Sequence, residues 1–81
     1  MVTDEELKAV YGMFTDAWKL YKRYADIQKT QEARWDMFAD EADAVSRKYN
    51  GNRLCRDLLL AVTNELERKS NEIPQVPQNA T

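Results

Sequence analysis

Any chemistry in this chain falls to carboxylates and cations, because histidine is absent and cysteine occurs once, at Cys55. Two carboxylate pairs, Asp36 with Asp40 and Asp40 with Asp43, have the spacing that puts both acids on one face of a helix. Helical bundles that hold two metals use such pairs, but a Glu-x-x-His element completes their ligand set. Without histidine that element cannot be built, and acids on a polar face are ordinarily solvated surface. A lone cysteine supports neither a zinc site nor a Cys–His nucleophile pair. Glycine occurs only at Gly12 and Gly51, so no glycine-rich phosphate loop exists either. The expectation is a protein that is not an enzyme, with no metal and no cofactor.

The cations are gathered more tightly. The stretch SRKYNGNRLCRD, Ser46 to Asp57, sets Arg47, Lys48, Arg53 and Arg56 around an Asn-Gly-Asn turn. These four have no acid among residues 44–56, whereas residues 32–43 set Glu32, Asp36, Asp40, Glu41 and Asp43 against Arg34 alone. Arg47 and Lys48 fall at the end of a helix, where the dipole favours cations; Arg53 and Arg56 fall in a first turn, where it does not. A ligand or a nearby acid must offset that placement. In an up-down-up bundle the acidic run Asp4, Glu5 and Glu6 is expected beside the turn, so electrostatic stitching is the leading reading. The alternative is nucleic-acid binding through Arg47, Lys48, Arg53 and Arg56. Against it, no aromatic side chains interleave with these cations, and a net charge of −2 is not that of a dedicated polyanion binder.

The elements that carry these residues read as helices throughout. Proline is confined to Pro74 and Pro77, and no stretch alternates like a half-buried strand. Thr3 and Glu6 have capping-box spacing, so a first helix is expected from Asp4 to about residue 29. Its apolar residues form four seven-residue rows: Leu7, Phe14 and Tyr21; Val10, Ala17 and Tyr24; Tyr11, Trp18 and Ala25; Met13, Leu20 and Ile27. That stripe is too broad for one neighbour. A second helix, over about 31–49 with Thr30 as its cap, buries Trp35, Phe38, Ala42, Val45 and Tyr49. Asn50 and Gly51 suit a left-handed ending. Asn52 caps a third helix over about 53–69, whose inner face holds Leu54, Cys55, Leu58, Leu59, Ala61, Val62 and Leu66. The expected fold is all-α, a three-helix up-down-up bundle in one domain over 1–70, with a disordered tail over 71–81. One rival remains, because Gln28 and Gln31 keep the seven-residue phase unbroken: a single long helix with a short one folded back, dimerising into a bundle.

Eighty-one residues are near the lower size for folding without staples, so self-association is a natural source of added stability. A single cysteine suits a reducing compartment, and the acidic start MVTDEEL is unlike a secretion signal. No apolar run reaches membrane-spanning length. A cytoplasmic location away from membranes is expected.

The segment WDMFADEADAVSRKYNGNRLCRDLLLAVTNELERKS, Trp35 to Ser70, resembles small uncharacterised helical proteins of Firmicutes phages and mobile elements. The resemblance carries no functional motif. It implies a setting in which small helical proteins bind host or phage proteins, in some cases to block a defence system. The expected function is therefore a protein-interaction module, with a structural homo-oligomer as a further alternative. The partner face is expected at Met13, Leu20, Tyr24 and Ile27 on the edge of the first helix, with Met37 and Leu60 as further apolar outliers. A homodimer contact is expected through some of the first four.

Overall fold

A computed structural model describes residues 1–72 as three helices: α1, Asp4–Tyr24; α2, Glu32–Lys48; and α3, Arg53–Glu72. They form an up-down-up three-helix bundle, and α1 packs most extensively on α3. No strand occurs among the described residues. Most of the expected tail, from residue 73 on, lies outside them; Asn71 and Glu72 are the last residues of α3.

Local chemistry sets most of the helix ends. Thr3 and Glu6 form the expected capping box: Thr3 Oγ1 accepts from the Glu6 amide at 3.1 Å, and Glu6 Oε1 accepts from the Thr3 amide at 3.0 Å. At the end of α2 the Gly51 amide donates to the Ser46 carbonyl at 2.8 Å, and the Asn50 amide to the Arg47 carbonyl at 3.0 Å. This is a Schellman closure, and it requires the left-handed backbone found at Asn50 (φ 56°) and Gly51 (φ 67°). Asn52 then caps α3, its Oδ1 accepting from the Leu54 amide at 2.8 Å and the Cys55 amide at 3.3 Å.

The α1–α2 connection departs from expectation. Helix α1 stops at Tyr24, and residues 25–31 form a turn, which removes the long-helix rival. Ile27 leaves the helical path and is buried in the core, with its amide donating to the Tyr24 carbonyl at 2.9 Å. Arg34 reaches back to seal the end of α1. It donates to the Arg23 carbonyl at 3.0 Å, pairs with Asp26 at 3.2 Å and lies over the Tyr24 ring. Thr30 does not cap α2. Gln31 holds the cap position without a side-chain bond to the helix, and its Oε1 accepts instead from the Gln28 amide at 2.8 Å. The Trp35 indole N–H donates to the Gln28 carbonyl at 3.0 Å, so α2 itself anchors the turn.

The core is Met13, Ala17, Leu20, Tyr24, Ile27, Phe38, Cys55, Leu59 and Leu66. Trp35, Ala42, Val45, Tyr49, Leu54, Leu58 and Val62 pack around it half-buried, whereas Ala61, expected inside, faces solvent. Phe38 meets Tyr24 and Trp35 edge-on, with ring centroids 5.5 and 6.2 Å apart.

Candidate functional site

Two rows of apolar side chains run along α1 with the same spacing of four, three and four residues. Met13, Ala17, Leu20 and Tyr24 are buried. Leu7, Tyr11, Phe14 and Trp18 are exposed, at 57%, 74%, 52% and 56% of their surface. At about 100° per residue the two rows lie roughly 120° apart around the helix. The partner face expected from sequence is thereby corrected. Met13, Leu20, Tyr24 and Ile27 are interior, each at most 4% exposed, and the free apolar edge is the row of Leu7, Tyr11, Phe14 and Trp18.

Two charged clamps join α1 to α2. Asp16 on α1 accepts from Lys48 Nζ at 2.9 Å and from the Tyr49 hydroxyl at 2.7 Å, at the end of α2. Glu41 on α2 accepts from Arg23 Nη1 at 2.6 Å and from the Tyr24 hydroxyl at 2.8 Å, at the end of α1. Each clamp is a carboxylate on one helix receiving a cation and the tyrosine that follows it on the antiparallel neighbour. Burial pushes the Asp16 carboxyl up, but the hydrogen bonds from Lys48 and Tyr49 outweigh it and hold the group below its ordinary value. Burial, reinforced by the accepting carboxylates, raises the phenols of Tyr24 and Tyr49. The clamps draw α2 against the edge of α1 that carries Gly12, Asp16 and Arg23, which encloses Met13 and Leu20. The approach is close at Gly12, where a Cβ would stand 2.5 Å from the Tyr49 hydroxyl oxygen and the phenol would have to shift.

Tyr49 sits level with Gly12, so the first two turns of α1 extend past the end of α2. No described element covers the outer row. Trp18 stacks on Tyr21, with centroids 6.2 Å apart, and Lys22 Nζ lies 5.4 Å from the Trp18 ring centroid. The row borders one edge of α3. Arg68, held protonated first by Glu65 and then by Glu72, also lies within electrostatic reach of the Tyr21 phenol. Helical spacing puts half-buried Leu54 and Leu58 and exposed Ala61 on the same edge of α3 as Arg68. The result is an apolar strip rich in aromatics, the residue types that dominate the centres of protein interfaces.

The other expected site residues are scattered. Met37 on α2 and Leu60 on α3 are both exposed. Leu60 lines a shallow groove with Arg53, Arg56 and Asp57, away from the outer row of α1. The basic turn is not one surface. Arg47 pairs with Asp43 within α2, and Lys48 is committed to Asp16. Arg53 and Arg56 make no ion pair among the described residues. The expected stitching by Asp4, Glu5 and Glu6 does not form, because the first turns of α1 run beyond the turn; the acids that pair with the basic stretch are Asp43 and Asp16. Asp36, Asp40 and Asp43 lie exposed on α2. No group of three His, Cys, Asp or Glu side chains among the described residues is arranged to hold a metal ion. Cys55 is buried, and burial first, then Asp16, raises its thiol, so it behaves as a small core residue.

One signal for the clamps is visible in the sequence. DAWKLYKRY, Asp16–Tyr24, and EADAVSRKY, Glu41–Tyr49, share a leading carboxylate, a following alanine, a central aliphatic residue, two cations and a closing tyrosine. The bond pattern repeats with the residues. Comparison of the chain with family models, with curated proteins and with solved structures gave no match.

Proposed function

We propose that this protein is a non-enzymatic interaction module that docks on another protein through the outer row of α1: Leu7, Tyr11, Phe14 and Trp18. One observation carries the reading. Four large apolar residues, three of them aromatic, stand half or more exposed in a continuous line on a helix whose inner row is already buried against α2 and α3. Isolated exposed apolar residues are ordinary, whereas a contiguous strip costs solubility and marks a contact. A cytoplasmic setting belongs to the proposal, supported by the single buried thiol. No described helix is long and apolar enough to cross a membrane. A phage or mobile-element setting, in which such a module occupies a host or phage protein, fits the same reading.

The test is affinity capture with the wild-type chain and with Phe14→Glu, a substitution at an exposed position. Wild type is expected to retain a partner that Phe14→Glu loses, while a chain carrying both Arg53→Ala and Arg56→Ala retains it. Equal retention by wild type and Phe14→Glu refutes the assignment of the face.

A second reading rests on Arg53 and Arg56, two cations without an ion pair among the described residues, in the first turn of α3. If they bind nucleic acid, affinity falls steeply with salt, and their joint replacement by alanine flattens that dependence. No mobility shift on DNA or RNA at low salt removes this reading.

A further inference from the structure

We propose that the outer row of α1 is occupied by a second copy of this chain, with the two α1 helices antiparallel. The inference rests on the reading of that row as a docking face and names its occupant. Three features of the row support it.

The first is spacing. Leu7, Tyr11, Phe14, Trp18 and Tyr21 follow the alternating four- and three-residue steps of a coiled-coil seam, which lets one helix lie along another for its whole length. A ligand gripping one or two side chains has no use for five in register. A second α1 presents the same ladder and so can engage the row along its length.

The second is area. Aromatic side chains bury about 150–250 Å² each, so at these exposures the row offers about 500 Å² per copy. Two copies bring about 1,000 Å² out of water, the lower bound for a specific interface. The neighbouring edge of α3, with Leu54, Leu58 and Ala61, adds to that at the margin. A self-complementary patch is also what a two-fold contact requires.

The third is charge, which sets the direction. On the edge beside the row, the first turn of α1 carries Asp4 and its last turn carries Lys22, placed on one side by helical spacing. Parallel pairing sets the acidic turns against each other, and the basic turns likewise. Antiparallel pairing sets acid against base at both ends and opposes the helix dipoles favourably. In one antiparallel register Leu7 faces Trp18 of the other copy, Tyr11 faces Phe14, and Asp4 comes beside Lys22. All four exposed apolar residues are then used, and Lys22 already lies at the Trp18 ring.

The experiment is light scattering after size exclusion, from about 1 µM to about 500 µM, where an interface of this small size associates. The mass is expected to rise with concentration from 9.5 kDa toward twice that value. Phe14→Glu is expected to stay monomeric with unchanged helix content by circular dichroism. Lys22→Glu should weaken the dimer roughly three- to tenfold, with Asp4→Lys restoring it in the same chain. Direction is read by mixing Asp4→Cys and Lys22→Cys chains under mild oxidation, with the buried Cys55 out of reach. Cross-links between positions 4 and 22 are expected to exceed those between two copies of position 4. A monomeric mass throughout overturns the second copy, while the docking face is judged separately by the captured partner that Phe14→Glu does or does not lose. A dimer that survives Phe14→Glu also overturns the proposal, and a majority of position-4 homodimers overturns the direction.

Discussion

The inner and outer rows of α1 are nearly the same object by every local measure. Both step by four, three and four residues, and both mix aliphatic and aromatic side chains. Yet Met13, Ala17, Leu20 and Tyr24 are buried, and Leu7, Tyr11, Phe14 and Trp18 face outward. The outer row is, if anything, the bulkier. What separates them is the route of the rest of the chain. The two clamps bring α2 against the Gly12, Asp16 and Arg23 edge, α3 packs beside it, and nothing is left in the described chain to cover the remaining third of the helix. Periodicity therefore reports that a helix needs neighbours and how wide their coverage must be. It does not report where they come from.

The largest expected effect breaks the comparison at its centre. Leu20→Ala removes a core side chain and should cost about 2–5 kcal/mol of folding stability. Phe14→Ala, one row away, should change the monomer by no more than about 0.5 kcal/mol. Urea unfolding at low protein concentration measures both, and similar losses would mean that the rows are not distinct.

A smaller effect tests one of the clamps between α1 and α2. Asp16→Asn replaces a charged acceptor of two hydrogen bonds and should cost about 1–2 kcal/mol near neutral pH. The pH dependence has a definite sign. The folded pKa of Asp16 is lowered, so its contribution is present above the unfolded value near 3.9 and is lost as pH falls through the lower folded value. The hydrogen bond to Asp16 raises Lys48, and burial raises Tyr49. Their contributions are present below their unfolded values near 10 and are lost as pH rises through the higher folded ones. The stability difference between wild type and Asp16→Asn should therefore be flat from about pH 5 to 9 and shrink on both sides. A difference that grows in acid contradicts the clamp.

The smallest effect sharpens the same edge. Alanine for glycine inside a helix is ordinarily worth up to about 1 kcal/mol. In the wild type that gain should be cancelled, because the added methyl collides with the Tyr49 hydroxyl while Asp16 holds it in place. In a Tyr49→Phe background Gly12→Ala should stabilise by about the full amount. Equal effects in both backgrounds would show that the close approach carries no energetic weight.

Much of the fold was legible because it is written in neighbouring residues. The Thr3–Glu6 box, the left-handed Asn50–Gly51 pair and the Asn52 cap each depend on positions within a few residues of one another, and all three form. The width of the α1 stripe was legible too, and it correctly required more than one neighbour. The edge left bare was not legible, because it depends on which side α2 returns. The end of α1 was displaced from about residue 29 to Tyr24 for the same kind of reason. Gln28 and Gln31 sustain the helical phase locally, but burial of Ile27 and the reach of Arg34 to the Arg23 carbonyl are gains only the folded bundle offers. Up-down-up topology puts the start of α1 near the basic turn, but only the relative lengths of the folded helices set Asp16, rather than Asp4, Glu5 or Glu6, at the height of Lys48 and Tyr49.

The duplicated DAWKLYKRY and EADAVSRKY segments have a consequence for assembly from the unfolded state. Each offers a carboxylate for the other's cation and tyrosine, whichever molecule the other belongs to, so the code does not say which two helices should meet. The seven residues 25–31 say it instead, by holding α1 and α2 at an effective concentration in the millimolar range. In dilute solution the tether wins and every chain closes on itself. As chain concentration approaches that of the tether, helices from different molecules compete for the same clamps, and refolding acquires exchanged partners as a side product.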